Sequence, residues 1–151
     1  MGQQQLLLVI LVTIIVGIAT VVAINIFGTA AEQANRDAVR QDLLSAGAQA
    51  QALWARPGMM GGISQDFTNV DDIRDLNIPR GSSADDDYTE DLIQNDNADY
   101  TIVGATATTI TIHAVPASGT ENITLEIQRV GTAPDTRWEF VWDGETITGA
   151  I

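Results

Sequence analysis

Residues 6 to 27 read LLLVILVTIIVGIATVVAINIF, an uncharged run interrupted only by Thr13, Gly17, Thr20 and Asn25. As a helix rising about 1.5 Å per residue, the run measures about 33 Å, enough to cross a hydrocarbon core of about 30 Å. The interruptions suit a span, because a Thr hydroxyl can bond back to the preceding turn and Gly lets a neighbouring helix approach. A secretory signal fits less well. No basic residue precedes the run, its length exceeds the usual apolar stretch of about 7 to 15 residues, and Ala19 and Ala23 are followed by more apolar chain instead of a polar start. Beyond Phe27, the stretch from Thr29 to Arg56 reads TAAEQANRDAVRQDLLSAGAQAQALWAR. It is rich in Ala and free of Pro, so the helix is expected to continue. Ala31, Ala34, Ala38, Leu43, Ala46, Ala50, Leu53 and Trp54 approximate one apolar stripe, and Glu32 is spaced to pair with Arg36 on another face. Pro57 and Gly58 supply the stop. The expected helix, Leu6 to Ala55, is about 75 Å long.

The charge is distributed as unevenly as the apolar residues. The chain has 151 residues, 20 acidic and 7 basic, with a net charge of −13 and no cysteine. Its first charged side chain is Glu32, and every basic residue is an Arg. A chain of this length holds about one ordinary domain. So negative a surface repels phosphate backbones, which argues against binding nucleic acid over a broad surface. Molar salt, with a Debye length of about 3 Å, would screen the repulsion between such chains.

After the helix stop the texture changes twice. Residues 57 to 99, with glycines at 58, 61, 62 and 81 and the acidic run SSADDDYTED at 82 to 91, read as an irregular region. Short helical turns are expected at Val70 to Leu76 and Tyr88 to Ile93. From Tyr100 onward, four runs read as strands: Tyr100 to Val103, Thr108 to Ala114, Asn122 to Val130 and Arg137 to Trp142. A fifth is allowed at Thr146 to Thr148, after Asp143 and Gly144. Ile110 and Ile112 alternate with Thr109 and Thr111, and Ile123, Leu125 and Ile127 alternate with Thr124, Glu126 and Gln128. That period gives each strand one buried and one wet face, as in an antiparallel meander. The apolar face needs a cover, and the second half of the long helix is the one sizeable apolar stripe on offer. The expected fold is α+β: a long N-terminal helix, hydrophobic in its first half, packed by its second half on a C-terminal antiparallel sheet of about four strands, a lollipop. Its segments are a membrane or core helix over 1–28, an amphipathic continuation over 29–56, an acidic loop region over 57–99 and a β head over 100–151.

A polar start, about 20 apolar residues, an Ala-rich continuation and a β-rich head together resemble the type IV pilins and their pseudopilin and archaeal-type relatives. The likeness covers the first 55 residues by sequence and the remainder by architecture alone. It implies a structural subunit that waits in the inner or cytoplasmic membrane and is then drawn into an extracellular helical filament of identical copies, serving attachment or motility. It also implies a prepilin peptidase and a pilus assembly machinery as partners. The family commonly carries a Glu at the fifth mature position. Here that position is Gln5 if the mature chain starts at Met1, or Leu7 if it starts at Gln3, so neither start supplies the carboxylate. Met1, Gln3 and Gln5 are the candidate processing and contact residues at this end. Val22 stands where many bacterial pilins have a Pro, so the helix is expected to be whole through the span. The disulfide of many bacterial pilin heads cannot form without cysteine. Leu6, Val9, Thr13, Gly17, Thr20, Ala23 and Phe27 are the expected filament-core residues. The apolar surface of the whole span from Leu6 to Phe27, on the order of 1,000 Å², corresponds to about 25 kcal/mol if left in water. A monomeric membrane-anchored surface protein and a pseudopilin of a secretion system are the alternatives.

Other motifs carry little chemistry. Asp85, Asp87, Asp96 and Asp99 form a weak calcium candidate, with Asx residues at 95, 97 and 99 in alternation, but the Gly and distant bidentate Glu of a calcium loop are missing. A solvated acidic loop is the plainer expectation. His113 stands alone in a strand, and Asn122 begins the acceptor pattern Asn122-Ile123-Thr124 for N-linked sugar. No phosphate loop, zinc spacing, haem motif or nucleophile elbow occurs, so neither a cofactor nor an enzymatic activity is expected.

Overall fold

The structure is a computed structural model and describes residues 2–70, 72–81, 92–119, 121–143 and 145–147, the last three by backbone alone. The chain divides into two compact units, Met1–Ala34 and Asn35–Ile151. One α-helix, α1 (Gly2–Ala55), passes unbroken from the first into the second. It starts four residues earlier than the apolar run and ends two residues before Pro57, where the chain turns extended (φ −65°, ψ 147°). The fold class is the expected α+β, a long N-terminal helix whose second half lies on an antiparallel sheet.

The second unit is built on a six-stranded meander in chain order: β1 (Leu92–Gln94), β2 (Ala98–Ala105), β3 (Thr109–Pro116), β4 (Ile123–Val130), β5 (Arg137–Trp142) and β6 (Glu145–Ile147). All neighbours run antiparallel. Residues with period two share a face, and Ile110, Ile112, Ala114, Ile123, Leu125 and Ile127 are all buried, as their alternation requires. Two differences from the sequence reading stand out. Leu92 and Ile93 belong to a strand and not to a helical turn, because Ile93 pairs with Tyr100 across a tight Asn-rich turn; the rest of that turn, 88–91, lies outside the described residues. The β2 strand also runs past Val103 through a bulge between Ile102 and Gly104, which leaves Val103 exposed.

The cover over the sheet is shared, contrary to expectation. Val39, Leu43, Ala46, Ala50, Leu53 and Trp54 come from α1, but Ile63, Phe67, Ile73, Leu76 and Ile78 join the same core from the segment read as irregular. That segment folds into three 3-10 turns, Gly58–Met60, Phe67–Asn69 and Ile73–Leu76. Asp66 and Asp72 cap the second and third by accepting from the backbone N–H groups of Thr68 and Arg74. These bonds hold both carboxyls below their ordinary range. For Asp66 the Thr68 hydroxyl contributes most; for Asp72 it is the Arg74 side chain. On α1, Ala31 and Ala34 are exposed and the buried stripe starts at Val39. Arg36 reaches Glu121, 2.6 Å away, and not Glu32 as its spacing suggested.

Two contacts lock α1 to the sheet. Asp42 Oδ2 accepts from the Tyr100 hydroxyl at 2.8 Å and from the side-chain amides of Asn95 and Asn97 at 3.1 Å each. One turn of Asn side chains is thereby tied to the helix, and Asn35 adds a bond to the Asn97 carbonyl at 3.1 Å. Farther along, Gly47 is buried against Phe140, and a Cβ built there would lie 2.6 Å from the ring carbon Cε1. At the end of the helix Trp54, Phe67 and Trp138 pack with ring centroids 4.7 to 6.0 Å apart, and the Arg129 guanidinium lies 5.3 Å from the Trp138 ring centre.

Both locks are testable. Gly47→Ala would gain about 1 kcal/mol on an open helix, whereas here overpacking against Phe140 should cost about 1 to 3 kcal/mol, read as a lowered midpoint in urea unfolding of the detergent-solubilised chain. Burial and the Asp42 carboxylate raise the Tyr100 hydroxyl above its ordinary 10.0. A raised acid contributes stability that is whole below the unfolded value and is lost as pH climbs above it. Unfolding midpoints should therefore fall above about pH 10, and Tyr100→Phe should remove that part of the fall.

Candidate functional site: an uncovered apolar helix

The first unit presents one surface, the side of α1 from Gly2 to Ala34. Every large apolar residue from Leu6 to Phe27 is between 48 and 75% exposed, so the described residues leave this surface open. Its most apolar 18-residue window has a mean hydropathy of 3.2, no part of it buried. Length and composition therefore suffice for crossing a membrane. A helix apolar all round finds its place in lipid or inside a larger assembly, not in water.

The seven residues expected to form a contact face do lie together. Leu6, Val9, Thr13, Gly17, Thr20, Ala23 and Phe27 are spaced by three or four, which puts them along one side of the helix. Thr13 donates to the Ile10 carbonyl and Thr20 to the Val16 carbonyl, each at 2.8 Å. Both hydroxyls are thus satisfied within the helix and ask nothing of a neighbour, leaving two methyl groups outward. Gly17 has open space where a Cβ would stand, a flat place for close approach. Gln3 and Gln5 are exposed on the first turns, while Met1 lies outside the described residues.

The remaining candidates are scattered. Asp96 is exposed on the β1–β2 turn and Asp99 half-buried on β2, while Asp85 and Asp87 lie outside the described residues. Among the described residues no three His, Cys, Asp or Glu side chains are grouped to hold a metal ion. The alternating Asn residues nearby close the turn: Asn95 Oδ1 accepts from the backbone N–H groups of Asn97 and Ala98, both at 2.9 Å. His113 is half-buried on the outer sheet face, between Thr101 and Thr124, and Asn122 is exposed just before β4. The sequence reading did not single out Asp42, whose role depends on partners more than 50 residues away that no local pattern announces. No protein-family model, curated protein or solved structure matches the chain.

A charge in the middle of this surface should undo its affinity for lipid. Val16→Asp, near the centre of the run, is expected to cost about 2.5 to 3.5 kcal/mol of insertion. The measurement is the fraction of chain that resists an alkaline carbonate wash of membranes, which should fall sharply in the variant and stay high for Val16→Leu.

Proposed function

We propose that the chain is the structural subunit of an extracellular, type IV pilus-like helical filament of identical copies. The observation that carries this reading is the uncharged and exposed apolar surface from Leu6 to Phe27, on the same unbroken helix whose second half belongs to the folded, acidic second unit. Before assembly the surface is covered by lipid. On extraction by an assembly machinery, after processing by a prepilin peptidase, it is covered by the same surface of other copies. Burial against protein then replaces burial in lipid, and the step is mechanical, with no reaction catalysed by the chain and no cofactor. The part of the chain from Glu32 onward, which carries all of the charge, faces solvent, and the heads serve surface attachment or motility.

Mechanical shearing of cells that make this chain should release helical fibres visible by electron microscopy, with the chain as their main protein by mass spectrometry. A chain that stays with the membrane fraction through shearing, and leaves it only in detergent, would be a monomeric anchored surface protein instead.

A further inference from the structure

Methionine is ordinarily a core residue, whose flexible thioether fills gaps between stiffer side chains. The second unit does not use it in that way. No Met is among the described core residues, and two of the three in the sequence stand side by side in the 3-10 turn Gly58–Met60. Met59 is fully exposed, more so than any other large apolar residue described, and Met60 is 73% exposed.

The turn keeps its shape without these side chains. Backbone bonds close it, from the Met60 N–H to the Pro57 carbonyl at 2.9 Å, from the Gly61 N–H to the Gly58 carbonyl at 3.2 Å and from the Gly62 N–H to the Pro57 carbonyl at 3.2 Å. Gly61 is left-handed at φ 75°, and a Cβ at Gly62 would lie 2.1 Å from the Arg56 carbonyl oxygen, so both positions require glycine. Ile63 then returns at once to the core, its N–H donating to the Leu53 carbonyl at 3.2 Å. A fixed backbone thus presents two thioethers that pack against nothing, and what distinguishes them from leucine at such a place is the sulfur lone pair.

We propose that Met59 and Met60 form an oxidative modification site that accepts oxygen atoms from peroxides. Such a site is independent of whether copies assemble. A thioether lone pair attacks one peroxide oxygen, the O–O bond breaks, and the other oxygen leaves as water once it has taken up the proton. The sulfur is oxidised by two electrons to the sulfoxide and the peroxide is reduced by two. Exposure governs the rate of this step, and cysteine, the usual faster competitor, is absent from the chain. The product is polar where the thioether was apolar. In a packed core that change is disruptive, whereas on this turn it alters the surface and leaves the fold intact.

The test exposes the full chain, in peroxide-free detergent, to hydrogen peroxide and follows each residue by peptide mass spectrometry. Met59 and Met60 should each gain one oxygen atom at no less than about a tenth of the rate of N-acetylmethionine in the same detergent. The urea midpoint of the oxidised chain should equal that of the untreated chain. Slower reaction at either residue would show that its sulfur is shielded and would overturn the proposal. A fall in the midpoint on oxidation would overturn it as well, because the thioethers would then be holding the fold. Met59→Leu/Met60→Leu gives a check that needs no oxidant: its midpoint should match that of the unchanged chain, and a lower one would assign the two residues a packing role instead.

Discussion

A helix surface that is apolar on every side and exposed along its length is the constraint from which the rest of this molecule follows. From Leu6 to Phe27 no side chain bears a charge and no large side chain is covered. Such a surface is costly to leave in water, and its length and composition suffice for a membrane anchor. The details of the run agree with that demand. Its hydroxyls are satisfied internally, its glycine is left open, and no proline interrupts the backbone ladder. Charge begins at Glu32, only where the helix is about to enter a folded unit of its own.

The second unit solves the opposite problem, keeping a single helix fixed to a single sheet face. Apolar burial supplies the drive, and Val39, Leu43, Ala46 and Ala50 are fully buried. Burial alone would let the helix slide, since small residues pack at neighbouring offsets. Asp42 removes that freedom, for three donors from one turn and one strand converge on one of its oxygens. Gly47 adds a steric notch that admits the Phe140 ring at one level only. A polar clasp and a notch together specify one seating.

Much of this was legible in the sequence, where the information was periodic. The helix, its stop at Pro57, and the strands from Tyr100 onward followed from apolar spacing and breakers, because burial on one face forces a period of 3.6 or 2. What escaped had no period. Ile63, Phe67, Ile73, Leu76 and Ile78 enter the core from or beside short 3-10 turns; the turn at Ile73–Leu76 falls where a helical turn was expected, but the irregular spacing of these apolar residues gave no sign that they would be buried. Strand β1 has three residues, too few to show an alternation, and is recognisable only through its pairing with β2. Arg36 chose Glu121, 85 residues away, over the near Glu32 for the same reason: tertiary proximity is invisible to local spacing. In the candidate site, the apolar run from Leu6 to Phe27 was readable from composition, whereas the bonding of the Thr13 and Thr20 hydroxyls to their own helix was not.

The central claim is that copies of this chain cover one another's apolar helix. Solid-state NMR of the assembled fraction tests it most directly, using fibres grown from an equal mixture of copies carrying carbon-13 at Leu and Val methyls and copies carrying it at Ile methyls. Cross-peaks between the Ile methyls of residues 10 to 26 in one copy and the Leu and Val methyls of residues 6 to 22 in another are the expected result. Methyls of this run that exchange magnetisation only with lipid acyl chains, with no transfer between differently labelled copies, would contradict the account.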